Sequence, residues 1–446
     1  MRTKQIISFE NIEEFSQNLL AWAQQYKTVV WLDSNNYSKS KSNYDIILAV
    51  GAQTFLKSEV TNAFDKLKKY QTEVEDWIFG YLTYDLKNDV ENLESNNFDG
   101  LNFPELYFFQ PQKLFLIKGN QVEVQYLKTI EDDIESDLNI IKNKCHFEQY
   151  QKTATNDIKI KLRIHKDEYF DKVNKVLAHI HRGDIYEANF CQEFYAENTE
   201  ISPLNIYNKL DEISQAPFAT FLRLDDKYLL SASPERYIKK EGLKVTSQPI
   251  KGTAKRSNNF EEDYKLKEDL KKDTKERSEN IMIVDLVRND LSQTAIKGSV
   301  TVEELCKVYS FKQVHQMIST VTSKVNEKIH PVDIIKTTFP MGSMTGAPKI
   351  SAMRIIEALE ETKRGLYSGA VGYFMPNNDF DFNVIIRSIL YNESKKYVSY
   401  SVGGAITAKS DPLKEYEECL VKAKAMREVL EDQTFKYQKS ILKIVN

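Results

Sequence analysis

Only four cysteines occur in 446 residues, Cys145, Cys191, Cys306 and Cys419, and none stands in a CxxC or Cys/His spacing. That scarcity excludes a disulfide framework or a thiolate zinc site and leaves reduced thiols as the expectation. Glycine (15) and proline (11) are also few, and no Pro/Ser/Gly-rich tract or fixed-period repeat divides the chain into beads. No run approaches the roughly 18 uncharged apolar residues of a membrane helix, and the opening MRTKQIISFE lacks a signal peptide's apolar stretch, so a cytoplasmic location is expected. Charge of one sign is missing too. Lys plus Arg number 61 against 65 Asp plus Glu, a net of 61 − 65 = −4, which gives no field for nonspecific nucleic-acid or anionic-membrane binding. What is plentiful is core: 41% of residues are hydrophobic and 11% aromatic, enough for a globular protein of two to four domains at roughly 100–200 residues each.

Boundaries rest on weaker cues. Residues 1–150 read as a smaller amino-terminal region, mixing short strand-like runs (29–32, 46–50, 114–117) with helical segments and a polar loop at 91–100, and residues 151–446 as a larger second domain. The charged, weakly periodic stretch 130–158 is the expected junction. Beyond it Tyr169, Val173, Val176, Leu177 and Ile180 recur at helical spacing until Gly183. In 185–194, Tyr186, Ala188, Phe190 and Phe194 alternate onto one face of a strand, leaving Glu187, Asn189, Cys191 and Glu193 on the other. A hairpin near Glu241–Gly242, a long helical region over 260–291, strand-like runs at 368–374 and 382–390, and a last helix over 412–430 complete the reading. Strands and helices that come in groups predict an α+β fold rather than a βαβ repeat.

Two helical segments each carry acids three residues apart, Glu276 with Glu279 and Glu415 with Glu418. Side chains at i and i+3 share a face, so two such helices facing each other make the oxygen-rich, water-retaining nest that Mg²⁺ takes. Plainer roles fit the same spacing: Asp273 with Glu276 as a helix-start box, Glu418 with Lys422 as an i,i+4 pair. Glu279 lies in line with Met282, Ile283 and Leu286, where an unpaired carboxylate is costly. In Gln248-Pro249-Ile250-Lys251-Gly252-Thr253, proline fixes the backbone and glycine permits close approach. Lys251 there can pair with an anion, act as a nucleophilic amine once desolvated, or be a surface lysine. Glu235, in Ser233-Pro234-Glu235-Arg236, is a proton donor if buried. The loop 339–349 feeds a helix start, where free amides attract anions, but it lacks P-loop spacing. Gly403-Gly404 is a second backbone built for close approach, and Arg387 interrupts an apolar strand-like run, calling for an anionic partner.

Taken in order, GDIYEANFCQEF (183–194), SPER (233–236), PIKGT (249–253), ERSENIMIVDLVRNDL (276–291), FPMGSMTGAPK (339–349), RGLYSGAVGYF (364–374), DFNVIIRS (381–388) and SDPLKEYEECLVKA (410–423) resemble the chorismate-utilising enzymes over about 166–429. That family includes anthranilate synthase component I, aminodeoxychorismate synthase component I, and the isochorismate and salicylate synthases. Trp31-Leu32-Asp33-Ser34 resembles, more loosely, a strand of the amidating members. The resemblance implies an anthranilate-synthase-like fold, antiparallel sheets packed as a sandwich with helices outside. It implies Glu279 and Glu418 as direct Mg²⁺ ligands, with Glu276 and Glu415 assisting through water. The metal would hold the ring carboxylate of chorismate. Tyr367, Arg387 and the amides near Gly403 and Gly404 would bind the enolpyruvyl carboxylate, Lys422 would hold the anionic substrate, Thr345 would line the pocket, and His315 would stand near the ring hydroxyl.

Subfamily rests on two positions. Isochorismate and salicylate synthases activate water with a lysine where this chain has Glu187, and anthranilate synthases generally have alanine where it has Lys251. The PIKGT form resembles aminodeoxychorismate synthase component I, in which the lysine attacks C2 of chorismate, an acid matching Glu235 protonates the departing C4 hydroxyl, and ammonia then displaces the lysine to give 4-amino-4-deoxychorismate for p-aminobenzoate and folate. Two departures stand out: Glu187 for the glutamine common in amidating relatives, and Ala405 where a third glycine is frequent. No cysteine resembles a glutaminase nucleophile, so a separate glutamine amidotransferase is expected to supply ammonia in a heterodimer, with a separate lyase downstream. Alternatives are anthranilate synthase component I and a noncatalytic chorismate-binding regulator.

Overall fold

The computed structural model describes residues 1–37, 43–143, 158–312 and 314–431. Cys145 and residues 144–157 of the expected junction therefore lie outside the described residues. Two long strands, Ile46–Ser58 and Leu106–Lys118, pair antiparallel over their full length, with a register shift between Ala52 and Thr54 that bends the pair. Each feeds one branch of sheet. On one side Ile46–Ser58 pairs with Thr28–Asp33, and pairing continues through Phe218–Leu224, Lys227–Ser233, Ser388–Asn392 and Tyr397–Thr407 to Glu187–Ala196. On the other, Leu106–Lys118 pairs with Ile78–Leu82, then Ala370–Phe374, Phe380–Val384, Arg236–Glu241, Lys244–Gln248 and Val314–Lys324, the last flanked by Ile250–Lys255 and Thr301–Ser310. Every one of these pairings is antiparallel.

Strand alternation sorts the side chains into two cores. Val29, Trp31, Phe190, Phe221 and Ile389 point into a core covered by the helices Lys166–Arg182, Pro203–Ser214 and Pro412–Glu431. Their neighbours Val30, Cys191, Leu222 and Leu390 point the opposite way, into a second core shared with Tyr237, Val371 and Phe382 of the other branch. This is the α+β sandwich expected from the sequence, with apolar burial on both faces driving assembly. It also corrects one reading of the 185–194 stretch. The strand starts at Glu187, so Tyr186 lies outside it and is 71% exposed, while Glu187 on the supposedly polar face is 1% exposed.

The helix ending at Gly183 and the hairpin at Gly242 stand where expected, both glycines having positive φ (88° and 57°). The expected helix over 260–291 is instead two, Phe260–Lys272 and Thr274–Ser292. Asp273 breaks it: its carboxylate accepts the amide N–H groups of Lys275 and Glu276, so it caps a new helix rather than continuing the old one.

One buried ion pair ties the strand Glu187–Ala196 to the helix Lys349–Leu359. The Arg364 guanidinium donates to Glu360 Oε1 (2.7 Å) and Oε2 (2.9 Å) and to the carbonyls of Met344 and Asn189 (both 2.6 Å). Glu360 in turn accepts the Cys191 amide at 2.8 Å. Removing the cation strands a buried carboxylate, so Arg364→Ala is expected to lose about 3–5 kcal/mol of stability in urea denaturation.

Candidate active site

Between the helices Thr274–Ser292 and Pro412–Glu431 and the strands Ile250–Lys255, Val314–Lys324 and Tyr397–Thr407 lies a cavity of about 370 Å³. Both carboxylate pairs, Glu276 with Glu279 and Glu415 with Glu418, line it, as do Lys251, Glu235, Tyr367, Arg387, Gly403, Gly404 and Lys422. Segments more than 180 residues apart in sequence thus converge on one space, as the motifs required.

Close approach explains the glycines. At Gly252 (φ +89°) an added Cβ would stand 3.1 Å from Glu276 Oε2; at Gly403 it would meet Cys191 Sγ at 2.4 Å, and at Gly404 Glu415 Oε2 at 3.2 Å. Arg387 is a non-glycine residue at φ 54°, strain of the kind held at functional sites. Burial lowers its pKa, with Tyr367 and Glu418 acting the other way. Among the described residues its guanidinium has no hydrogen bond or salt bridge to a protein group.

Glu279 and Glu415 are buried, Glu276 is half-buried and Glu418 is exposed at the cavity rim. Burial pushes Glu279 up to about 7, with Glu187 and Glu276 adding repulsion, and Glu276 and Glu415 are also raised. Burial acts on Glu418 in the same direction, but Lys422 and Lys275 outweigh it and hold it below its usual value. Glu279 Oε1 is buried without a hydrogen-bond partner. The nearest cation is Lys275, its Nζ 3.7 Å from that atom and 3.8 Å from Glu415 Oε1. Among the described residues no three acids, histidines or cysteines already converge as a closed cage. The i,i+4 pair is present as well: Lys422 Nζ lies 2.6 Å from Glu418 Oε1 and donates to the Gly403 carbonyl at 2.8 Å.

Lys251 is largely buried, its side chain 11% exposed, with its Nζ 3.1 Å from Glu187 Oε1, and Glu187 Oε2 has no partner. Burial alone lowers the amine's pKa, but Glu187 and Glu279 outweigh it, so Lys251 rests above its ordinary value as an ammonium. Glu235, the conditional proton donor, is buried and pushed up to about 7 by that burial. A carboxyl raised in this way keeps its proton closer to neutrality than a free one, which suits a general acid.

Two expected site residues are not brought to the cavity. His315 is 1% exposed and turned to the opposite face of its strand, where Nε2 meets Asp263 Oδ1 at 3.1 Å and Nδ1 meets Ser310 Oγ at 2.9 Å. Its neighbours Val314 and Gln316 line the cavity instead. Thr345 is fully buried behind the wall, its hydroxyl donating to the Gly342 carbonyl at 3.1 Å, while Ser343 and Met344 face the cavity. Sequence reading also missed Lys255 and Lys275 on the cavity wall, while Asn189 comes to it from the strand face read as either surface or the wall of a site.

The chain matches the family described as chorismate binding enzyme over residues 23–428. It is 34% identical to the anthranilate synthase component I-like protein of Synechocystis, over 80% of this chain and 72% of that relative. It is 39% identical to aminodeoxychorismate synthase component 1 of Salmonella typhimurium, over 59% of this chain and 58% of that relative's length. Its fold matches the crystal structure of anthranilate synthase component I from Streptococcus pneumoniae with a TM-score of 0.75 and 26% identity, covering 85% of this chain and 91% of that one.

Proposed function

Because this chain belongs to the chorismate binding enzymes, we propose that its cavity converts chorismate and ammonia to 4-amino-4-deoxychorismate, the reaction of aminodeoxychorismate synthase component I. The observation that carries the reading is Lys251: a buried amine on the cavity wall beside a carboxylate able to take its proton, with the raised carboxyl of Glu235 on the same wall.

Lys251 passes a proton to Glu187 and, as the free amine, attacks C2 while the C4–O bond breaks. Glu235 protonates the departing hydroxyl, which leaves as water. Ammonia then attacks C4, the C2–N bond breaks, Lys251 leaves as the amine and recovers its proton from Glu187, and the product ammonium returns a proton to Glu235. Two displacements replace one difficult one. Arg387 and Tyr367 hold the enolpyruvyl carboxylate, with Gly403 and Gly404 admitting it closely, and Lys422 adds positive charge.

The oxygen-only donor set on two facing helices, with an orphaned buried oxygen on Glu279, fits Mg²⁺, which binds carboxylates and retains water. Glu279 and Glu418 would hold it directly and Glu276 and Glu415 through water, Lys275 giving way. When bound, it supplies positive charge for the ring carboxylate. Ammonia comes from a separate glutamine amidotransferase, as the component naming of the Salmonella relative suggests. The three described cysteines are unpaired, which accords with a cytoplasmic setting, and no described helix is long and apolar enough to cross a membrane.

Anthranilate synthase is the second reading, favoured by the names of the Synechocystis relative and the Streptococcus structure. Incubation with chorismate, Mg²⁺ and ammonium separates the two: aminodeoxychorismate is expected, aromatised only when a lyase is added, whereas anthranilate formed without a lyase overturns the proposal. Glu235→Gln keeps the shape but not the proton, and turnover is expected to fall about 10²- to 10⁴-fold with chorismate KM little changed.

A further inference from the structure

A second cavity of about 130 Å³ adjoins the first. Pro234, Thr253, Val314, Gln316, Arg387 and Lys422 line both, so the two spaces meet at a boundary with two cations and an amide. Away from that boundary the second cavity is mostly apolar, lined by Leu210, Ala216, Pro217, Phe311, Ala425 and Met426, with Ser214 and Gln215 as its polar members. Two features of the boundary are unsatisfied by the protein. The Arg387 guanidinium has no partner among the described residues, and Gln316, 5% exposed, has its Oε1 buried without a hydrogen bond.

A mostly apolar slot closed at one end by an unpaired guanidinium recognises a small molecule with an apolar body and one anionic head, while the unpartnered Gln316 oxygen, an acceptor, can take only a donor. The thioether of Met426 and the ring of Phe311 favour an aromatic body. Chorismate itself is ill suited, because a ring bearing a hydroxyl and two carboxylates would leave polar groups unpaired against Leu210 and Met426. We propose that this second cavity binds a benzoate-class aromatic monocarboxylate, the ring among Leu210, Pro217, Phe311 and Met426 and the carboxylate on Arg387. Occupancy then excludes chorismate from the same guanidinium; that consequence rests on the substrate role proposed for Arg387, whereas the binding does not. Elimination of the enolpyruvyl group from an aminated ring yields an aromatic amino acid of this class, so an enzyme catalysing that step would generate a restraint on its own supply.

The test uses the full chain with 4-iodobenzoate soaked into crystals and benzoate titrated in solution. Iodine is expected between Phe311 and Met426. Ala425→Leu, which fills the slot, is expected to weaken benzoate binding at least tenfold while chorismate KM stays within twofold. Iodine only among the glutamates of the larger cavity, or none at concentrations that slow turnover, overturns the proposal, as does unchanged benzoate affinity in a folded Ala425→Leu protein. Iodine in the slot with no competition against chorismate leaves the site standing and contradicts the substrate role of Arg387.

Discussion

Lys251→Ala is expected to lose turnover by about 10³-fold or more, the scale of removing a covalent nucleophile, and to lose with it any covalent species derived from chorismate. The expectation follows from placement. Lys251 is the largely buried amine of the cavity wall, 3.1 Å from a carboxylate acceptor, whereas the other lining lysines differ: Lys255 is exposed, and Lys275 and Lys422 pair with the glutamates. Chorismate binding, measured by titration, is expected to survive, because Arg387 and Tyr367 are untouched. The pair also sets a pH dependence. Glu187 raises the Lys251 pKa, so the wild-type amine is protonated below that raised value and becomes available as pH rises through it. Glu187→Gln removes the raising charge, and the alkaline limb of single-turnover adduct formation is expected to move to lower pH. A limb that stays in place would mean that Lys251 does not control that step.

Glu279→Gln carries the second large effect. Magnesium affinity, measured by calorimetry without substrate, is expected to fall at least ~10-fold, since loss even of groups that merely orient metal ligands costs about 10- to 100-fold. In the wild type the affinity itself is expected to fall as pH drops through about 7, because Glu279 takes up a proton there and a ligand must be ionised to bind. Stability moves the other way. A carboxyl whose folded pKa is raised binds its proton more tightly in the folded state, so stability is lost as pH rises between the ordinary carboxyl value and about 7. Metal-free Glu279→Gln is therefore expected to have a higher urea midpoint than the wild type at pH 8. If magnesium binding is unchanged in the variant, the glutamates of the two helices are not its site.

Much of this site was legible from residue type and order. Four acids at i,i+3 spacing, a lysine before a glycine and an arginine in an apolar run all reach one cavity, because helix and strand periodicity fix facing once the elements are known. What could not be read was which face each strand turns inward. Both faces of the sandwich are buried, so the 187–196 strand offers no polar-out pattern, and Glu187 looked like surface or wall rather than the partner of Lys251. His315 and Thr345 failed for the same reason: a one-residue difference along an extended segment exchanges faces, and motif matching alone does not sense it. The helix start at Asp273 was legible, since Asp273 and Glu276 have the spacing of a helix-start box; what the spacing did not say is that this start divides the 260–291 helical region in two.

The most direct measurement is the intact mass of the protein after incubation with chorismate and Mg²⁺ in the absence of ammonia. A species heavier by chorismate less one water, absent from Lys251→Ala and discharged by ammonium to aminodeoxychorismate, is the predicted result. Unmodified protein that nevertheless turns chorismate and ammonium into anthranilate would contradict it.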